Sequence, residues 1–211
     1  MRAERKLTYY EGTGMSVPLA RRYYRLLGEA RRILDVGCGA GAFGRNRPAD
    51  DYEVVGLDVD AGAVELAAES GTAFIHDVGQ EPLPFQDDSF DAVLAKDVLE
   101  HLPQPVVALR EFERVLRPGG LLLVSVVMSR PKRVWADYTH VRGFTQRSAR
   151  QMLADAGFVV RHVWRMGGVP LSTRLNFVDA VPLLLGFPLF DHWWGSSWEL
   201  LAAKPPQETD A

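Results

Sequence analysis

The chain has 211 residues, 47% of them hydrophobic and 24% charged, with a formal net charge of −3. That length fits one domain with a single substantial core, and the near-balanced charge leaves no electrostatic footprint for a nucleic-acid backbone. The one cysteine, Cys38, excludes an internal disulfide and any CxxC metal site.

Met1 is followed by charged residues and no apolar run, so no signal peptide is expected and the expected location is the cytoplasm. The most apolar stretch, 178–194, is interrupted by Asp179, Pro182, Gly186, Pro188 and Asp191. It is too broken for a membrane span, which needs roughly 20 apolar residues in a row. Its apolar density suits a cover over the sheet edge, an acceptor pocket or a homodimer contact through 177–194. Arg21, Arg22, Arg25, Arg31 and Arg32 read as a solvated face.

In chain order, Ser16 is placed to cap a first helix, with Pro18 in its opening turn and Leu19, Tyr23, Leu26 and Leu27 on one face. The apolar run Ile33–Val36 reads as a strand, stopped by the glycine-rich Gly37–Gly41. A second strand follows over Glu53–Asp58, and Asp60 caps a helix ending near Gly71. Ala73–His76 and Phe90–Ala95 are the next strands. A helix then carries Val106, Leu109, Phe112 and Leu116 at helical spacing, and Arg117–Gly120 is expected to turn the chain sharply. Leu121–Val127 is apolar on both faces, as a central parallel strand should be. A helix over Gln146–Ala156 stops at Gly157, and strands near Phe158–Trp164 and Trp198–Ala203 close the chain.

This alternation predicts an α/β fold, doubly wound, with a mostly parallel seven-stranded Rossmann-like sheet and helices on both faces. Residues 1–30 are expected as a helical cap, 31–204 as the domain and 205–211 as a disordered tail. Ligands of such sheets bind beyond the carboxyl ends of the strands, where strand order reverses. The loop after the first strand is therefore the place to look.

Gly39-Ala40-Gly41-Ala42-Phe43-Gly44 matches GxGxxG, and Asp58 follows the second strand. Both report a nucleoside, and an NAD(P)-dependent oxidoreductase would satisfy them equally. Asp35 separates the readings. A carboxylate at the end of the first strand repels the pyrophosphate of a dinucleotide, but suits a cationic group such as the α-amino group of S-adenosylmethionine (SAM).

Ile33-Leu34-Asp35-Val36-Gly37-Cys38-Gly39-Ala40-Gly41 resembles the signature loop of class I SAM-dependent methyltransferases. Val55–Asp60, His76-Asp77-Val78, Leu83-Pro84-Phe85, Asp88–Asp91, Val98–Leu102 and Val115–Gly120 resemble the family's later motifs, in order, so the likeness covers roughly residues 31–127. It is nearest the small-molecule branch called methyltransferase type 11. The resemblance implies SAM as cofactor. Asp35 would then bind the methionine amino group directly or through water, and Gly37, Cys38 and Gly39 would line methionine and ribose. Asp58 would accept the ribose hydroxyls, Val59 would pack on adenine, and Asp77 and the Val78 N–H would read the adenine edge. Ala95 and Lys96 would offer backbone near the methionine end. Asp58 as a neighbour of a helix cap, and Asp77 as a turn residue, are the plainer alternatives.

Several acceptors lose ground. Enzymes acting on exocyclic amines of nucleic acids carry Asn or Asp before Pro-Pro-aromatic after the fourth strand, where this chain has Lys96-Asp97-Val98-Leu99. Pyrimidine carbon-5 enzymes need a cysteine nucleophile, and the one cysteine belongs to the loop. No clustered oxygen ligands are legible, so no metal is expected. A small molecule remains, with a sugar or natural-product hydroxyl favoured. Met128–Phe144 lies where this family builds its substrate mouth, and Asp137–Thr145 resembles a segment of the branch. His140 is the first choice of general base, because an unperturbed imidazole titrates near pH ~6.5; a lid-tethering role is the alternative. His101 is the second choice, with packing as its plainer role. A non-catalytic SAM-binding regulatory subunit is the other function that fits.

Overall fold

The computed structural model describes residues 15–166 and 196–207. The strands are β1 (Arg32–Val36), β2 (Glu53–Asp58), β3 (Thr72–Ile75), β4 (Phe90–Lys96), β5 (Leu116–Val127), β6 (Val159–Met166) and β7 (Ser197–Ala203). The helices are α1 (Val17–Leu27), α2 (Ala42–Arg45), α3 (Ala61–Ala68), α4 (Pro105–Val115), α5 (Pro131–Val134) and α6 (Gln146–Asp155). The segment 177–194, expected as a cover or dimer contact, lies outside the described residues.

The seven strands form one sheet in the order β3-β2-β1-β4-β5-β7-β6. β1 to β5 pair in parallel, and β7 is antiparallel to both of its neighbours. Strand order reverses beside β1, which sits between β2 and β4, so the carboxyl ends of these three strands frame the expected crevice.

The period of two in β1 distributes the core. Leu34 and Val36 face one side with Val93, Ala95, Leu109 of α4 and Leu153 of α6, while Ile33 faces the other with Leu94, Phe43 of α2 and Tyr23 of α1. Both faces are thus covered by helices, as in the expected fold.

α1 starts as expected, with the Ser16 side chain accepting from the Leu19 N–H and Pro18 in the first turn. Its buried stripe is Ala20, Tyr23, Tyr24 and Leu27, with Leu19 and Leu26 at its margins. The two phenols can be buried because each finds a partner: Tyr23 donates to Glu199 Oε1 at 2.6 Å and Tyr24 to the Phe43 carbonyl at 3.1 Å. Arg22 pairs with the other oxygen of Glu199, which is 1% exposed on β7, so the charge buried under α1 is balanced.

The sharp turn expected at Arg117–Gly120 is not formed. α4 ends at Val115 and the chain runs directly into β5, which pairs Leu116 with Phe90, slips in register, and resumes with Leu121 opposite Ala92. Gly119 takes φ +77° at this irregularity, and β7's extension holds it there through Gly119 N–H to the Lys204 carbonyl and Lys204 N–H to the Gly120 carbonyl. The two glycines therefore serve a bulge inside a strand.

Candidate active site

The loop after β1 is fixed by main chain. Gly37 and Cys38 N–H groups both donate to the Leu57 carbonyl at 2.8 and 3.0 Å, which ties the loop to the end of β2. Gly37 has φ +70°, and a Cβ there would lie 2.5 Å from Val98 Cγ2. Conformation and space both demand glycine. Asp58 completes the arrangement: Oδ2 accepts from the Gly39 N–H and Oδ1 from the Asp60 N–H, each at 2.9 Å. Asp60 in turn caps α3 by accepting from Gly62 and Ala63 N–H groups.

The predicted cofactor residues divide between two hollows. A cavity of about 600 Å³ is lined by Gly37, Asp58, Val59, Asp77 and Val78, and also by His76, Asp97 and Val98. Asp35 and Cys38 instead line a smaller hollow of about 220 Å³ behind the loop, with Gly41, Gly56 and Ala73. Ala95 is fully buried in β4, and Lys96 forms an ion pair with Asp97. Asp77 opens a turn, with Oδ1 accepting from Gly79 N–H and Oδ2 from Gln80 Nε2.

Two carboxyls here are pushed upward. Burial, reinforced by the Asp58 charge and opposed by Lys96, raises Asp35 to about 7. Burial and then Asp97 raise Glu100 to about 8. The Cys38 thiol also goes up, through burial and then the charges of Asp35 and Asp58, so it is held as an unreactive thiol.

The other end of the large cavity is made by the segment between β5 and α6. It is pinched at its base, where Ser129 N–H donates to the Phe144 carbonyl and Phe144 N–H to the Val127 carbonyl. Gly143 packs so closely that a Cβ would lie 2.3 Å from Val134 Cγ2 and 2.9 Å from Ser129 Cα. Further out, Val141 N–H donates to the Glu100 carbonyl at 3.0 Å, and Arg142 Nη2 to the Pro103 carbonyl at 2.6 Å. These bonds dock this 129–144 segment, the proposed lid, on the loop after β4.

That docking brings His140 to His101, with ring centroids 4.7 Å apart. His140 Nδ1 lies 2.7 Å from the Val134 carbonyl. A carbonyl only accepts, so Nδ1 carries a proton, and in the neutral ring the lone pair is on Nε2. Thr139 Oγ1 lies 2.6 Å from Asp137 Oδ1 and 3.0 Å from His101 Nδ1. The hydroxyl gives its proton to the carboxylate, so His101 Nδ1–H donates to Thr139 and the lone pair is again on Nε2. Burial, then the neighbouring His140, lowers the His101 pKa, which favours this neutral form. His101, Asp137, Tyr138 and Thr139 line the same cavity as Asp58 and Asp77.

Sequence reasoning did not single out Asp97, Thr139 or His76. Asp97 has φ +55° at the end of β4 and accepts from Ser125 Oγ at 2.9 Å; a non-glycine residue held there is a local strain of the kind that clusters at functional sites. His76 lines the cavity, and its Nε2 is buried without a partner among the described residues. Position at a strand's carboxyl end was the available signal for both.

A glycine loop closed by a carboxylate after β2, at the switch point of a doubly wound sheet, defines a nucleoside-binding α/β protein. Residues 34–124 match the family profile described as "Methyltransferase domain", so this core is a class I SAM-dependent methyltransferase domain, with SAM as its cofactor. An uncharacterized methyltransferase of Mycobacterium sp. (strain JLS) is 38% identical over 179 residues, 83% of this chain and 65% of that protein. The ubiquinone biosynthesis O-methyltransferase of Alkalilimnicola ehrlichii is 34% identical over 110 residues. The match spans 49% of this chain but only 44% of that relative's length. A SAM-dependent methyltransferase structure from Mesorhizobium loti superposes with a TM-score of 0.67 at 19% identity, over 92% of this chain and 99% of that one. No helix among the described residues is long and apolar enough to cross a membrane.

Proposed function

We propose that the protein transfers the methyl group of SAM to a hydroxyl of a small molecule, a sugar or natural product, in the cavity between the glycine loop and the lid. The observation that carries this reading is that one cavity runs from Asp58, Val59 and Asp77 to His101, Asp137 and Thr139. Cofactor and acceptor can therefore meet without solvent between them. Likeness to a relative named as an O-methyltransferase supports oxygen as the nucleophile.

In this reading Asp35 meets the methionine ammonium directly or through water. Gly37, Cys38 and Gly39 line methionine and ribose, and Asp58 accepts the ribose hydroxyls. Val59, 65% exposed, offers an apolar surface for adenine, whose edge meets Asp77 and the Val78 N–H. Ala95 and Lys96 close the methionine end. The sulfonium is already an excellent leaving group, so in-line positioning supplies most of the acceleration. A hydroxyl must also lose its proton, and His140 Nε2 is the acceptor, with His101 Nε2 beside it.

The test is a screen of hydroxyl-bearing metabolites with SAM saturating, scored by S-adenosylhomocysteine release. Turnover of a hydroxylated small molecule is expected. Release seen only with amine acceptors, or only with nucleic acid, would overturn the acceptor class.

A further inference from the structure

Sequence reading found no clustered metal ligands, yet folding assembles a set. His101, Asp137 and His140 each offer one ligand atom, and these atoms lie within 4.8 Å of one another. The residues come from two stretches joined through the lid: His101 follows β4, and the other two sit between α5 and α6.

The surrounding hydrogen bonds prepare both rings for coordination. A metal-bound imidazole characteristically donates its other N–H to a carbonyl, carboxylate or hydroxyl oxygen, which fixes tautomer and ring plane. His140 does this to the Val134 carbonyl and His101 to Thr139 Oγ1, whose own proton is committed to Asp137. The Thr139 hydroxyl thus orients two of the three candidate ligands at once. Ordinary packing would not require both Nε2 lone pairs to be spared. Two of the three, His101 and Asp137, line the large cavity, with His140 packed against His101 beside it, so a fourth coordination position can face the space where an acceptor would sit, as catalytic sites require.

We infer that His101, Asp137 and His140 bind a divalent transition-metal ion at the acceptor end of the cavity. Two imidazoles in three donors select an ion of the Zn²⁺ and Co²⁺ kind over Mg²⁺, which prefers oxygen and keeps its waters. Bonds of about 2.0–2.2 Å place ligand atoms roughly 3–3.5 Å apart, inside the 4.8 Å within which these three residues already bring their ligand atoms.

The ion's role, unlike its binding, rests on the methyl-transfer reading above. In the ion-free protein His140 Nε2 takes the acceptor's proton. With the ion bound, the acceptor oxygen fills the open position, its O–H bond breaks and the proton passes to water. The oxygen lone pair then forms the bond to the methyl carbon as the C–S bond breaks. Its electron pair stays on the sulfur of S-adenosylhomocysteine, and no oxidant or reductant is needed.

Tag-free full-length protein, treated with chelator and dialysed, is titrated with Co²⁺ and followed by its visible d–d absorption. The expected result is one Co²⁺ per chain, displaced by Zn²⁺ and indifferent to excess Mg²⁺. His101→Ala and His140→Ala should each weaken Co²⁺ by more than the ~10–100-fold that loss of an outer-shell partner costs. S-adenosylhomocysteine binding, measured calorimetrically on the same variants, should be unchanged and reports that they are folded. Absence of stoichiometric uptake overturns the proposal, as does uptake with the same affinity and spectrum in the double variant. Turnover indifferent to chelator, with no Co²⁺ spectrum, sinks the ion and leaves methyl transfer standing; Co²⁺ uptake without any hydroxyl methylation does the reverse.

Discussion

The two ends of the large cavity are built by different means. At the proposed cofactor end the loop is shaped largely by main-chain donors: Gly37 and Cys38 N–H groups on the Leu57 carbonyl, and the Gly39 N–H on the Asp58 carboxylate. At the acceptor end the determinants are side chains carried by a loop, and His101 meets Thr139 across 38 residues of chain. A main-chain site tolerates little variation and holds one ligand. A side-chain site on a loop can change its chemistry while the scaffold stays. The contrast predicts that substitutions at one end move cofactor affinity and at the other move turnover.

The largest effect should come from the lid. His140→Ala removes the lone pair that either takes the acceptor's proton or binds the ion, so kcat should fall by about 10²–10⁴. SAM affinity should not move, because the ring touches none of the glycine-loop groups. Steady-state kinetics beside calorimetry on the folded variant checks this. Normal turnover would make His140 a lid tether through its Val134 contact and erase the distinction between the ends.

The same contrast explains what could be read from sequence. Strands β1, β2 and β4, the Asp60 cap and the glycine loop were legible because each is local. A positive φ demands glycine, a cap demands an oxygen, and a buried strand demands an apolar run. β5's start was misplaced, since Arg117-Pro118-Gly119-Gly120 has turn chemistry and only its pairing with β4 and the Lys204 main chain makes it a bulge. On the sequence His140 and His101 were two separate candidates. That they form one cluster with Asp137, through Thr139, follows from lid docking on the Glu100 and Pro103 carbonyls. No local pattern encodes that contact. Asp35 is a subtler case: its residue type suggested a cationic partner, but its position behind the loop, beside Cys38, became visible only in the fold.

The next effect belongs to the cofactor end. Asp35→Asn removes a charge while keeping shape, and should weaken SAM by about 1.5–3 kcal/mol, the scale of a charge-assisted hydrogen bond. kcat at saturating SAM should change far less. Unaltered affinity in the folded variant would remove the carboxylate from the cofactor site.

A pH dependence follows from the same residue, with two opposite signs. In the SAM-free protein Asp35 holds its proton up to about 7, whereas an unfolded aspartate releases it near ~3.9. Between those values the folded state binds more protons. This contribution to stability is therefore complete below the unfolded pKa and is lost as pH rises through the folded one. With Asp35 paired to the ammonium as proposed, cofactor affinity runs the other way, because that pairing needs the carboxylate. SAM should weaken about tenfold per unit as pH falls below 7, and Asp35→Asn should flatten that limb. Thermal melts without SAM and calorimetry with it, across pH 5–8, separate the two trends. A SAM affinity that is flat with pH in the unmutated protein would contradict the assignment.

The smallest predicted effect is the sharpest probe of the acceptor end. Thr139→Val keeps the volume of the side chain and deletes one hydroxyl. That hydroxyl accepts from His101 Nδ1 and donates to Asp137 Oδ1, while the Asp137 contact to the Thr139 N–H at 2.9 Å survives. The turn should therefore persist, and only the orientation of His101 and part of the support for Asp137 should go. One net hydrogen bond is worth about 0.5–1.5 kcal/mol, so kcat should fall roughly two- to tenfold with SAM affinity unchanged. Thr139→Ser, which restores the hydroxyl, should recover most of the loss. A methyl-for-hydroxyl change that acted through lid packing would instead spare Val and penalise Ser, because Ser restores the polar atom but leaves the γ-methyl space empty. The ranking of the two variants thus decides whether Thr139 orients the histidine or merely fills the turn.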